Sequence, residues 1–171
     1  VTGLEADYDG EEMPFERVHG AVTAAILLNR AKLGNPKIVQ ISALGASPGH
    51  SSAFLRTKGE ADEMLLSQKG TLVLRPSIVC TPGTMLSKRF QTLLAISKFS
   101  LGKLLMPKGF GDTKIQPILA EDLGHAVVQA CLTDFVGSIA LTLVGHEAIR
   151  LESLVQTMAE SQGRKIRLIE V

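Results

Sequence analysis

The sequence contains no tryptophan, one tyrosine and six phenylalanines, so its core must be built from aliphatic side chains. Cysteine is scarce as well. Cys80 and Cys131 lie in apolar runs without metal-ligand spacing and read as reduced core residues rather than as a disulfide or a zinc site. His19, His50, His125 and His146 are dispersed, and no metal site is expected; His125 reads as a partly buried structural residue and His146 as part of a turn. The formal net charge of +1 argues against a dedicated nucleic-acid binder, which carries a strong basic excess. No apolar run approaches the roughly 20 residues of a membrane-spanning helix, and nothing resembles a signal peptide. The expectation is a soluble, cytoplasmic protein, at most peripheral to a membrane.

What is present is the composition of an ordinary globular chain: 171 residues, 45% hydrophobic and 20% charged. The chain starts at Val1 without a Met and ends in the strand-like run Lys165–Val171, so both ends look cut. The expectation is the C-terminal half of a longer protein.

Hydrophobic periodicity organises the chain. After a possible strand end at Val1–Leu4 comes an acidic loop, Glu5 to Glu12, with five carboxylates. Helical spacing of Val18, Val22, Ala25 and Ile26 predicts a helix from Phe15 to Leu33, stopped by Gly34-Asn35-Pro36. Lys37–Ser42 reads as a buried parallel strand. Ser51 or Ser52 then caps a helix running to about Gln68, and Thr71–Arg75 is the next strand, closed by Pro76. Strand, helix, strand with short links is the signature of βαβ units and a parallel sheet.

Further on, residues 85–106 form an apolar and basic segment read as a helix. A Gly-rich turn at Lys108–Asp112 follows, then a strand near Ile115–Leu119 and a helix from Glu121 to about Leu132. Ile139–Val144, Leu151–Gln162 and Lys165–Val171 complete the pattern as strand, helix and strand. The expected fold is α/β, a Rossmann-like doubly wound parallel sheet over residues 1–84. Residues 85–171 form a smaller substrate-side region with some elements returning to the main sheet.

Four motifs stand in a telling order. A strand ends in Ser42; Phe54-Leu55-Arg56-Thr57-Lys58 opens a helix; the next strand runs into Arg75-Pro76-Ser77-Ile78-Val79; and Gln116–Leu123 makes a later strand-to-helix step. This pattern resembles the short-chain dehydrogenase/reductase superfamily in its extended and atypical branches, the NAD-dependent epimerase/dehydratase-like proteins. The flavour is that of the group related to the 39-kDa-type accessory subunit of respiratory complex I. In that superfamily a strand-end Ser precedes a Tyr-x-x-x-Lys motif, and here Ser42, Phe54 and Lys58 stand at the matching spacing.

The resemblance implies catalytic positions at Ser42, Phe54 and Lys58, and cofactor contacts at Gly3, Ser42, Lys58, Pro76, Ser77, Ile78 and Val79. Physically, residues i and i+4 share one helix face, and a Lys ammonium beside a phenol stabilises the phenolate. That phenol exchanges a proton with a substrate oxygen while the nicotinamide exchanges hydride, and the Ser hydroxyl orients the same oxygen. Phe54 keeps the ring but has no ionisable group, so this relay is lost. Ser51, Ser52 and Thr57 are poor acids, and His50 reads as a solvated loop residue.

Lys58 keeps a second role implied by the resemblance, a hydrogen bond to the nicotinamide ribose. The plain alternative is a surface helix Lys paired with Asp62 at i+4. No G-x-G-x-x-G turn occurs in the sequence, so a pyrophosphate cradle, if the parent protein has one, lies before Val1. The cofactor is NAD or NADP in the full-length protein, and this stretch alone should bind neither well.

The charge pattern adds one more feature. Between Met64 and Gly111 there is no Asp or Glu, while Lys69, Arg75, Lys88, Arg89, Lys98, Lys103 and Lys108 all fall there. A lysine-rich solvated helix face explains this. The sharper reading is a docking surface over residues 85–108 for an anionic membrane or an acidic partner subunit, and a third is a pocket for an anionic substrate. Two functions follow. One is an NAD(P)-binding protein without Tyr-dependent reductase activity, in a structural or sensor role. The other is an NAD(P)-dependent epimerase, dehydratase or reductase acting on a sugar nucleotide or small carbonyl substrate.

Overall fold

The computed structural model describes residues 7–8, 11–12, 14–81, 92, 95 and 102–171. The described residues divide into two compact units. One holds the residues up to Ser77 together with Leu123–Leu143; the other holds Ile78–Asp122 and Val144–Val171.

In the chain's first stretch the acidic segment is not wholly loop. Strands β1 (Asp7–Tyr8) and β2 (Glu11–Glu12) pair antiparallel within it. The helix expected from Phe15 to Leu33 is broken into three pieces: a π-helical turn at Glu16–Ala21, α1 at Val22–Asn29 and a 3-10 turn at Ala31–Leu33. Its buried residues are also not the expected ones. His19 and Thr23 are buried, whereas Val22 and Ile26 are 44% exposed. The run Val22–Leu28 is apolar on nearly every side, so periodicity could not choose its inward face. Gly34 ends the segment with φ 78°, the left-handed conformation that closes helices.

The first unit is built on a three-stranded parallel sheet in the order β3 (Ile38–Ile41), β4 (Thr71–Pro76), β9 (Ser138–Leu143). The central strand β4 is buried from Thr71 to Leu74, as a strand covered on both faces must be. Helix α2 (Ala53–Leu66) crosses from β3 to β4 and buries Thr57, Lys58, Ala61, Asp62 and Leu65, one stripe at helical spacing. Helix α3 (Ala120–Leu132) precedes β9, and Ala130 and Val127 pack with Leu72, Leu74, Val39 and Phe135.

Lys37 joins these pieces. Its ammonium donates to the carbonyls of Ala130 (3.5 Å), Cys131 (3.0 Å) and Thr133 and lies 5.4 Å from the Phe135 ring centroid. It thus satisfies carbonyls that the end of α3 leaves without partners, and its charge opposes the negative end of the helix dipole. Lys37→Met is expected to cost about 1 kcal/mol, read as a lowered urea midpoint with an unchanged slope.

The second unit contains short strands. β5 (Val79–Cys80) pairs parallel with β8 (Ile118–Leu119), β7 (Lys114–Ile115) pairs antiparallel with β10 (Ile149–Arg150), and β6 (Lys103–Met106) pairs parallel with β11 (Arg167–Glu170). Residues 103–106 are therefore a strand and not the end of a helix. Leu104 and Met106 point inward in strict alternation and meet Val155 of α4 (Leu151–Glu160). The rest of the expected docking segment, 85–101, lies outside the described residues except for Thr92 and Ala95. Two smaller expectations change as well. His125 is exposed on α3. Both cysteines are free, as expected, but Cys80 is half-buried and Cys131 exposed, so neither is a core residue. No described helix is long and apolar enough to cross a membrane.

Candidate functional site

The site forms where β3 ends and α2 begins. Ser42 follows the last residue of β3; its N–H donates to Leu74 O (2.7 Å), and Leu44 N–H donates to Pro76 O (2.8 Å), so the two strand ends stay in step. The loop 43–52 then returns to open α2. Ser52 has the extended backbone of an N-cap, but its side chain makes no capping bond. His50 Nδ1 instead accepts the Ser52 N–H at 2.9 Å, which gives this loop histidine a structural role.

Lys58 is not a surface residue. It is 6% exposed, its ammonium donates to Ile41 O at 3.5 Å, and it stands 5.5 Å from the centroid of the Phe54 ring. Burial pushes its pKa down, opposed by the negative charge of Asp62. Asp62 in turn is fully buried and serves other partners. Its Oδ2 accepts from Ser42 Oγ (2.8 Å) and from Arg75 Nε (2.9 Å), while Oδ1 has no partner. Burial pushes the Asp62 pKa up, and the bonds from Ser42 and Arg75 and the Arg75 and Lys58 charges pull it down.

Phe54 is half-buried in an aromatic cluster. Its ring meets Phe15 and His19 edge-on at centroid distances of 5.6 and 5.7 Å, while Phe15 and His19 stack nearly parallel. The His19 Nδ1 lies 2.9 Å from Thr57 Oγ1. His19 is the residue that sequence reasoning missed. In the sequence it is one of the dispersed histidines, and its one legible signal is helical spacing on a segment that must pack against α2.

Burial lowers the His19 pKa below the imidazole's ordinary 6.5; the Lys58 charge adds to this and Glu16 opposes it. An unfolded His19 takes up a proton that the folded one resists. The stability it supports is therefore full above about 6.5 and is lost as pH falls from there through the folded value. Urea midpoints should fall between about pH 7 and pH 5, and His19→Gln should flatten that slope.

The structure thus brings Ser42, Phe54, Lys58 and Pro76 to one end of the main sheet. Ser77 continues from there, its N–H donating to Leu143 O at 2.8 Å. Ile78 and Val79 belong to the other unit. Gly3 lies outside the described residues. Among the described residues no group of three or more His, Cys, Asp and Glu is placed to hold a metal.

No protein-family model matches the chain. A dTDP-glucose 4,6-dehydratase from Bacillus anthracis in complex with NAD has the same fold, with a TM-score of 0.73 and 18% identity over 94% of this chain and 58% of that one. The RMD protein from Pseudomonas aeruginosa, complexed with NADPH, gives 0.71 and 12% over 91% and 61%. A UDP-glucose 4-epimerase from Thermotoga maritima gives 0.69 and 14% over 91% and 57%. The fold is the Rossmann-like α/β fold of the NAD-dependent epimerases and dehydratases.

In sequence the chain is similar to the mitochondrial NADH dehydrogenase [ubiquinone] 1 alpha subcomplex subunit 9 of Arabidopsis thaliana. Identity is 29% over 156 residues, 89% of this chain and 37% of the relative. The resemblance read from Ser42, Phe54, Lys58 and the Arg75–Val79 turn is borne out in both respects, and the chain spans only 37% of the length of that relative.

Proposed function

We propose that the chain is part of a nicotinamide-dinucleotide-binding protein of the atypical short-chain dehydrogenase/reductase type that lacks Tyr-dependent reductase activity. Its role is structural or sensory within a respiratory-complex assembly. The observation that carries this reading is the state of the Phe54 and Lys58 pair. The ring at the Tyr position offers no proton, yet the Lys remains buried beside it, 5.5 Å from its centroid. Keeping a cation this dry costs free energy. A ligand that uses it accounts for its retention better than a lost proton relay does.

The residues fit the sugar part of a dinucleotide. Lys58 carries three donor hydrogens and has one long carbonyl contact at 3.5 Å, which leaves capacity for ribose hydroxyls. Ser42, Lys58, Pro76 and Ser77 would line that site, and the bound group would supply hydride chemistry. What this chain's residues supply is binding and orientation. With Phe54 in place, none of Ser42, Phe54 and Lys58 moves a proton through a phenol. The relative's mitochondrial setting favours the same compartment here over the cytoplasm, with assembly partners among respiratory-complex subunits. We assign contact with an acidic partner or an anionic membrane to the basic segment 85–108.

Fluorescence titration of the full-length protein with NADH and NADPH tests the binding reading, and no binding of either would sink it. Turnover assays against carbonyl and sugar-nucleotide panels test the loss of activity. Sustained turnover by the Phe54 protein would show an epimerase, dehydratase or reductase with another proton donor. Phe54→Tyr should give a phenol whose pKa is lowered by Lys58, measured by ultraviolet difference titration.

A further inference from the structure

The hydrogen of the Ser42 hydroxyl is placed by counting donors. A serine hydroxyl has one hydrogen and two lone pairs. The Ser42 Oγ spends its hydrogen on Asp62 Oδ2 at 2.8 Å. That same oxygen accepts from Arg75 Nε at 2.9 Å, and a guanidinium only donates. If the buried carboxyl takes up a proton, the unpartnered Oδ1 is the oxygen open to it. Ser42 therefore remains the donor in either protonation state of Asp62, and only its lone pairs are left for a ligand.

The Thr57 hydroxyl has its single hydrogen to give to Ala53 O at 2.9 Å, Phe54 O at 3.3 Å or His19 Nδ1 at 2.9 Å, so the His19 tautomer sets the direction of that contact. The Phe54 ring contributes no polar atom. Among Ser42, Phe54 and Lys58, the lysine is the one donor left for a ligand, Ser42 accepts and Phe54 is inert.

We infer that Asp62, held by Arg75, is a positioning residue that makes Ser42 an acceptor-only group, so that the site takes a hydroxyl-bearing ligand, an alcohol or a sugar diol, and disfavours a bare carbonyl oxygen. This rests on reading the site as a dinucleotide-binding one. An alcohol oxygen brings a hydrogen for Ser42 and lone pairs for Lys58. A carbonyl oxygen brings only lone pairs and meets Ser42 like against like, an unmade hydrogen bond.

Saturation-transfer NMR on the full-length protein freed of dinucleotide, using cyclohexanol and cyclohexanone at equal concentration, compares two probes that differ at that oxygen. The alcohol is expected to bind about fivefold better, the worth of one hydrogen bond. Ser42→Ala should bring the ratio to about one, as should Asp62→Leu combined with Arg75→Met. Asp62→Asn keeps a carbonyl oxygen for Ser42 and should preserve the ratio, which a merely structural role for Asp62 would not require. If the double variant fails to fold, Ser42→Ala and Asp62→Asn still decide. Equal or stronger binding of the ketone, binding of neither probe, or a ratio untouched by Ser42→Ala overturns the inference. A protein that binds the dinucleotide yet prefers the ketone loses this inference alone; one that binds no dinucleotide loses the underlying reading too.

Discussion

Gly59→Ala is expected to destabilise the first unit by about 3 kcal/mol or more, although Ala is the better helix former. Gly59 sits inside α2, where the loop after β3 crosses the helix. A Cβ there would lie 2.3 Å from Ser47 C and 2.5 Å from its Cα and N, all backbone atoms. No rotamer change relieves such a contact. Ser47 is also tied down, its N–H donating to Leu55 O at 3.2 Å, so relief must come from moving the 43–52 loop that follows Ser42. Gly124→Ala in α3 is the control, because nothing lies within 4 Å of that Cβ. There the substitution should stabilise by up to about 1 kcal/mol. Urea denaturation of both variants is the measurement, and equal midpoints would refute the steric argument.

Arg75→Met is expected to cost about 3–5 kcal/mol, because it leaves the fully buried Asp62 carboxylate without its cation. The pH dependence carries the sign. Burial already holds the Asp62 pKa above the ordinary 3.8, and removing Arg75 takes away one of the influences that pull it down. The folded variant then binds a proton more readily than the unfolded chain does. Its deficit relative to the native protein should be full above the variant's folded pKa and shrink as pH falls from there to the native folded value, itself above 3.8. A deficit that grows on acidification would mean that Asp62 stays ionised without Arg75. Asp62→Asn should cost less, since it leaves no buried charge behind.

Local pattern carried much of the architecture. The runs at 37–42 and 71–75 are β-rich and bounded by Gly and Pro, so their strands were legible, and the helix between them implied a parallel pairing. Leu151, Leu154, Val155 and Met158 follow helical spacing closely, and α4 lies where they predict it. Lys103–Met106 was misread because four residues beside an apolar, basic run show no period of their own. Its strand character depends on Arg167–Glu170, more than sixty residues away, which supply the missing hydrogen-bond partners.

For the site, the sequence by itself determined the residue types and their spacing: Ser42 at a strand end, a ring without a hydroxyl at Phe54, and Lys58 one helical turn later. Spacing within a helix is local, so a Lys four residues beyond an aromatic must share its face. The tertiary structure alone decided what those groups bond to. It buried Lys58 where a surface lysine was one reading, turned Asp62 from Lys58 toward Ser42 and Arg75, and laid His19 against Phe54 and Thr57. Those contacts join positions 13 to 38 residues apart. Ser42 donates because its partner, the Asp62 carboxylate, accepts, and no local pattern in the sequence records that pairing.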